Sequence, residues 1–356
     1  MKATIQDIFR KVRDRQRITG DEAVFLYENA DLLTLGMFAD EIRHFLHPEP
    51  VVTYVIDRNI NYTNVCISGC KFCAYFRAPG DSAGYVLSKR ELGQKIEETK
   101  ALGGTQILLQ GGLHPDLPLS FYEDMLSFIK GFDIHCHAFS PPEIIHLARL
   151  SGLSVAEVLL RLKAAGLDSI PGGGAEILSD RVRNIVSPKK AGTDEWLGVM
   201  ETAHRLGIRT TATMMFGHIE TIEERIVHLM RLRELQDRTG GFTAFIPWPF
   251  QPKNTALSVK AATAHEYLKL LAISRIVLDN FANLQASWVT QGPKVAQIAL
   301  SFGANDFGST MIEENVVAAT GVTHKLSEDE IRRLIVEAGF LPKQRLMDYR
   351  FAEKSR

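Results

Sequence analysis

Apolar residues first recur with a helical period. Ile5, Ile8, Phe9 and Val12 fall at the i, i+3, i+4 and i+7 positions of one face, with charged residues between them. Asp21 and Glu22 open a second periodic segment through Leu26 and Leu33, and a third runs to Phe45. Residues 1–50 are thus predicted to form an N-terminal helical extension. From Val51 the pattern changes to strands alternating with helices. Predicted strands are Asn61–Val65, Gln106–Gln110, Ile134–Phe139, Asp168–Pro171, Thr210–Phe216, Thr243–Pro247, Leu284–Val289 and Ala304–Phe307. Helix starts between them are marked by hydroxyl–carboxylate pairs three apart: Ser88 and Glu91, Ser154 and Glu157, Thr221 and Glu224, Thr263 and Glu266. Pro118, Pro141 and Pro293 mark further first turns. Eight strands separated by helices predict a (β/α)8 barrel over 51–320, with a partial six-strand barrel as the alternative. A capped helix from Ser327 through Ile335 and a polar tail to Arg356 make up residues 321–356.

The composition is that of an ordinary globular enzyme: 356 residues, 45% hydrophobic, 23% charged, net charge −1. Near-neutral charge argues against a nucleic-acid partner. No apolar run reaches the roughly 18 residues of a membrane span, and the first residues lack the apolar core of a signal peptide. Four cysteines, three of them clustered, do not read as a disulfide framework, and a reducing cytoplasm is the expected compartment.

Polar and glycine-rich residues recur at the C-terminal ends of the strands, where a barrel builds its active site. Cys66, Cys70 and Cys73 follow the first strand; the remaining cysteine, Cys136, lies on the third, where it reads as a small buried residue. Three close thiolates suit an iron–sulfur cluster better than a structural zinc, which takes four protein ligands; a zinc knuckle or a buried cysteine trio is the alternative. Gly111 and Gly112 follow the second strand and either let backbone approach a ligand or only permit a tight turn. His135 and His137 share one strand face, so His137 is either a base at the barrel mouth or part of a hydrogen-bonded core pair. His218 is a second candidate base. Glu220 beside it is either catalytic or a favourable charge at a helix N-terminus. Trp248 and Phe250 could wall off a reactive site, and Gln291 ends the seventh strand.

The Cys66–Cys70–Cys73 spacing, with Phe72 before the last cysteine, resembles the signature of the radical S-adenosylmethionine (SAM) enzymes. Asn61 to Asn64, Ala138 to Glu143, Gly174 to Leu178 and Phe216 to Thr221 resemble its futalosine-pathway branch in menaquinone biosynthesis and the relatives in deazaflavin synthesis. Asp57 to Ile60, Gly240 to Pro252 and Ala286 to Pro293 look most like the members that cyclise dehypoxanthine futalosine. The resemblance implies a [4Fe–4S] cluster on the three cysteines, with one iron left to chelate SAM. It also implies an external low-potential electron donor such as flavodoxin or ferredoxin. Gly111 and Gly112 would meet the SAM amino group, Glu176 its ribose, and Tyr75 its adenine. Ser140 and Arg183 are further SAM candidates, against readings as a helix cap and a surface charge. The implied reaction takes a hydrogen from C4′ of the substrate ribose and closes a ring onto the benzoate. His218 or His137 would serve as base, Arg77 would bind the substrate carboxylate, and Trp248 and Gln291 would contact substrate. Rival expectations are aminofutalosine synthase, the deazaflavin-forming FO synthase subunit, and a non-catalytic iron–sulfur protein. A homodimer is the default assembly on symmetry statistics alone.

Overall fold

In the computed structural model, which describes residues 4–352, the alternating pattern becomes ten parallel strands in two sheets. They are β1 (Val51–Val55), β2 (Asp57–Asn61), β3 (Gln106–Gln110), β4 (His135–Ala138), β5 (Ser169–Ile170), β6 (Arg209–Phe216), β7 (Phe242–Pro249), β8 (Asn283–Leu284), β9 (Asp306–Ser309) and β10 (Leu341–Gln344). Strands β2 to β8 form a curled seven-stranded sheet in chain order, and a second sheet runs β10–β1–β9. Only Ile56 separates β1 from β2, and a parallel bridge between Gln285 and Asp306 links the exit of β8 to β9. The curled sheet is thereby joined edge to edge through β9, as a TIM-type barrel requires.

The four predicted capping boxes all form, at Ser88, Ser154, Thr221 and Thr263. Thr4 and Thr19 make two more, starting the first two N-terminal helices, Ile5–Arg13 and Gly20–Asn29. The third, Leu32–Leu46, packs along helix Ala264–Val277. Among the described residues no helix is long and apolar enough to cross a membrane.

Four strand assignments differ from the sequence pattern. β1 (Val51–Val55) has no predicted counterpart; the strand expected over Asn61–Val65 ends at Asn61 instead of starting there, and residues 62–65 belong to the loop leading to the cysteines. Asp57, Asn59 and Asn61 share one face of β2, opposite Arg58 and Ile60, and are buried, so polar side chains fill a face that pattern reading expects to be apolar. The seventh strand stops at Leu284. Trp288–Gln291 is a short helix whose Trp288 indole N–H donates to Ser309 O at 2.8 Å. The polar tail contributes β10, which pairs with β1 from Val51–Leu341 to Tyr54–Gln344.

Candidate active site at the cysteine loop

The cysteine loop is fastened on several sides. Cys66 N–H donates to Arg77 O at 2.9 Å, Lys71 N–H to Val186 O at 2.9 Å, and Ala256 N–H to Lys71 O at 2.8 Å. All four cysteines are free thiols; Cys70 is buried, while Cys66 and Cys73 are partly exposed. Cys66 Sγ accepts N–H bonds from Ser68 (3.4 Å) and Leu113 (3.3 Å), and Ser68 Oγ lies 3.1 Å from Cys70 Sγ. Donors aimed at sulfur are what stabilise thiolate ligands and tune a cluster. Among the described residues no three His, Cys, Asp or Glu side chains gather around a single point that would hold one metal ion.

Gly111 and Gly112 lie where β3 meets this loop. A Cβ on Gly112 would sit 2.1 Å from Val65 O, and one on Gly111 would enter the Tyr62 ring at 2.4 Å. The glycines are therefore demanded by packing under the cysteine loop. Gly111 N–H donates to Glu143 Oε1 at 3.0 Å and Gly112 N–H to Thr63 O at 3.0 Å, so only their carbonyl oxygens remain for a ligand, the polarity an amino group needs. Glu143, fully buried, also accepts from the Tyr62 hydroxyl (2.7 Å) and from the N–H (2.7 Å) and hydroxyl (2.6 Å) of Ser140. Ser140 caps helix Pro141–Ser151 and is tied to the Gly111 turn through this carboxylate.

Glu176 stands in the left-handed region at φ 39° and is buried. Its Oε1 accepts from Lys190 Nζ at 2.8 Å. Oε2 has Arg183 Nη1 at 3.5 Å but no hydrogen-bond partner, leaving one buried acceptor for a ligand. Burial alone would raise this carboxyl; Lys190 and Arg183 overcome it and hold the group below its ordinary value. Lys190 also lies 5.1 Å over the Phe72 ring, beside the cysteines, and the Glu176 and Cys70 charges outweigh burial and push its ammonium upward. Arg183 is buried, not a surface charge. Its guanidinium donates to the carbonyls of Gly174 (3.0 Å), Ala175 (2.6 Å) and Ala191 (2.8 Å), bracing the glycine turn behind Glu176.

His218 and Glu220 are brought together, and their side chains are fully enclosed. Nδ1 of His218 lies 2.8 Å from the Ile219 N–H and 3.0 Å from Glu220 Oε2, and Nε2 lies 3.0 Å from Met215 O. Burial lowers its pKa, so the ring is neutral. Glu220 accepts from Gly217 N–H (2.6 Å), His218 N–H (3.0 Å) and Arg225 (Nε at 2.8 Å), and Arg225 reaches on to Tyr27 of the helical extension at 2.9 Å. Both ring nitrogens and the carboxylate are committed to holding this turn. His137 lies elsewhere, on β4, with Nδ1 2.7 Å from Ser169 Oγ. Tyr75 bonds to the Tyr85 hydroxyl, which donates to Asn61 O at 2.9 Å. Arg77 is half-buried and donates to the carbonyls of Tyr75 (3.3 Å) and Phe76 (2.9 Å). Trp248 and Gln291 are half-buried. Cys136 is buried with a strongly raised thiol pKa, away from the loop.

Sequence reasoning did not single out Lys190, Ser169 or Arg225, and passed over Glu143 as a site residue. The Ser140–Glu143 spacing carried a readable capping signal; Lys190, in a Pro-Lys-Lys turn, carried none.

Known proteins resemble this chain in sequence and fold. Residues 60–232 match the family model described as the radical SAM superfamily, and 239–356 match the one described as the CofH/MqnC C-terminal region. The chain is 48% identical to the cyclic dehypoxanthine futalosine synthase of Halalkalibacterium halodurans, over 97% of this chain and 94% of that protein. The chain belongs to the radical SAM superfamily. It is 46% identical to the enzyme of the same name from Streptomyces coelicolor, over 98% of this chain and 89% of that one. A relative of a different name, the 5-amino-6-(D-ribitylamino)uracil–L-tyrosine 4-hydroxyphenyl transferase of Archaeoglobus fulgidus, is 48% identical over 86% of this chain and 90% of its own. Among solved structures, the hydrogenase maturase HydG of Carboxydothermus hydrogenoformans superposes with a TM-score of 0.78 at 19% identity, covering 97% of this chain and 80% of that one. Methylornithine synthase (PylB) gives 0.72 at 16%, covering 94% and 97%. These structures share the barrel fold of this chain. Membership makes this chain an enzyme and implies a [4Fe–4S] cluster and SAM.

Proposed function

We propose that this radical SAM enzyme cyclises dehypoxanthine futalosine in menaquinone biosynthesis. The observation that carries the SAM-dependent part is the buried, ionised Glu176 with one unpartnered oxygen, held beside the cysteine loop by Lys190. The two relatives that match over 97% and 98% of this chain support the substrate.

Cys66, Cys70 and Cys73 would hold the cluster, the Gly111 and Gly112 carbonyls would accept from the SAM amino group, and Glu176 would accept from its ribose hydroxyls. Bound there, cluster and SAM would supply the one-electron chemistry needed to take a hydrogen from the substrate ribose ahead of ring closure onto the benzoate. The protein positions the substrate and keeps water out. Glu143 locks the Gly111 turn to the β4 exit, and Arg183 locks the turn that aims Glu176. Half-buried Trp248, Ile246 and Leu108 leave apolar surface along the barrel interior. Arg77 remains the candidate for the substrate carboxylate.

The test is anaerobic. Reconstituted enzyme with dithionite, SAM and dehypoxanthine futalosine should release 5′-deoxyadenosine in step with a product lighter by two hydrogens, measured by mass spectrometry. Turnover of tyrosine with the ribitylaminouracil instead would move the chain to the activity named for the Archaeoglobus relative. SAM consumption with adenosyl retained in the product would indicate an aminofutalosine-synthase type reaction.

A further inference from the structure

Ring closure onto a benzoate leaves one ring proton to be removed, and the enclosed His218 turn has no free nitrogen to take it. Another pair of imidazoles stands inside the barrel. His135 and His137 lie on one face of β4, and Ser169 is the β5 residue in register with His137. Ser169 Oγ is 2.7 Å from His137 Nδ1 and 2.7 Å from His135 Nε2. Ser169 is completely buried and His137 nearly so, whereas His135 is only partly buried and keeps some contact with solvent. Leu108, in register with His137 on β3, is only partly buried, so this layer of the barrel keeps some space beside the His137 ring. With Nδ1 engaged by Ser169, Nε2 is the His137 nitrogen that can face that space.

We propose that His137, Ser169 and His135 form a proton wire that carries the proton lost by the substrate ring to solvent at the barrel floor. The proposal rests on the cyclase reading above. A hydroxyl has one proton and cannot donate to two imidazoles, so one ring accepts from Ser169 while the other donates to it. The chain thus has two polarities, and passing between them moves one proton along it. The ring C–H proton goes to His137 Nε2 and the Nδ1 proton of His137 to Ser169 Oγ. The Ser169 proton goes to His135 Nε2, and the Nδ1 proton of His135 to water. The C–H electron pair stays in the ring, and the single electron in excess of aromaticity leaves to a one-electron acceptor of the iron–sulfur class. Both imidazoles must be neutral to accept, and burial holds both below their ordinary value. Around them, Arg345 near His137 further disfavours charge there, while Asp168 and Asp348, both exposed, face His135 and favour a passing proton at the floor end.

The experiment uses reconstituted holoenzyme as wild type, Ser169→Ala, Ser169→Thr and His135→Gln. The readouts are cyclised product per deoxyadenosine, the solvent deuterium isotope effect, and the ¹⁵N imidazole resonances. Expected are a fall in product per deoxyadenosine of about tenfold or more for S169A and H135Q, and recovery to within about threefold for S169T, which keeps the hydroxyl. The wild-type isotope effect should vanish in S169A. A wild-type product ratio and isotope effect in S169A would overturn the wire. If wild type makes deoxyadenosine but no cyclised product, the cyclase reading fails instead. The wire is then judged by the resonances: tautomer exchange shared by both rings and lost in S169A supports it, and two independent rings in wild type overturn it.

Discussion

Glu176 is ionised in a place where a lone carboxylate would be neutral. Lys190 makes the difference, and Oε2 stays unsatisfied, a costly state for a buried acceptor unless a ligand completes it. Glu176→Gln keeps the shape, removes the charge, and strands the Lys190 ammonium. We expect SAM affinity, measured by equilibrium dialysis on the reconstituted enzyme, to fall roughly 10- to 100-fold, the value of a charge-assisted hydrogen bond. Thermodynamic stability should fall by about 3–5 kcal/mol because a buried ammonium loses its partner. The double variant Glu176→Gln with Lys190→Met should regain most of the stability and none of the affinity; unchanged affinity in either variant would remove Glu176 from the SAM site. Glu176 was visible in the sequence through its resemblance to family motifs. Lys190 was not, because a lysine in a turn has no periodicity to betray that its long side chain folds inward.

At the scale of elements, the least expected is β10. It extends the β1–β9 sheet on its outer edge and delivers Arg345, whose guanidinium pairs with Asp306 at the foot of β9. Asp306 also accepts from Thr53 Oγ1 at 2.5 Å, and Asp57 from Gln106 Nε2 at 2.9 Å, so polar groups close the barrel floor. Arg345→Met would leave Asp306 buried and unpaired. Denaturant unfolding should show a loss of about 3–5 kcal/mol, with most of it restored by adding Asp306→Asn, since removing both charges avoids an uncompensated one. A loss below about 1 kcal/mol would mean that the C-terminal strand is not part of the cooperative fold.

For the molecule as a whole, buried histidines set the acid limit. Burial lowers His204 to about 4 and His228 to about 3. In the unfolded chain both titrate near the ordinary value of about 6.5. As pH falls below that value the unfolded state takes up protons that the folded state refuses, so their stabilising contribution, full at pH 7, is withdrawn. Between pH 7 and 5 these two residues remove about 4 kcal/mol, or about 5 °C in Tm for a chain of this size. Scanning calorimetry across that range checks it, and His228→Gln should flatten the curve. Glu176 and Glu220, held below their ordinary values, add a second loss only further into acid, as pH falls through their own lowered pKa.

By itself the sequence determined what is local or periodic. Helix starts followed from capping spacings, because the hydroxyl and carboxylate that satisfy a helix end lie three residues apart in the chain. The barrel followed from the alternation of strands and helices, and the cysteine loop from its spacing. Tertiary structure decided where polar residues go once a barrel closes. Asp57, Asn59 and Asn61 fill an interior that pattern reading expects to be apolar, so the pattern starts this strand too late in the chain. Gly111 and Gly112 proved necessary to backbone packing under the cysteine loop, and His218 and Glu220 to a sealed turn. His137 found its partner 32 residues away on the neighbouring strand. Such partnerships depend on which strands lie side by side and how they are staggered, and no spacing within a single segment encodes that.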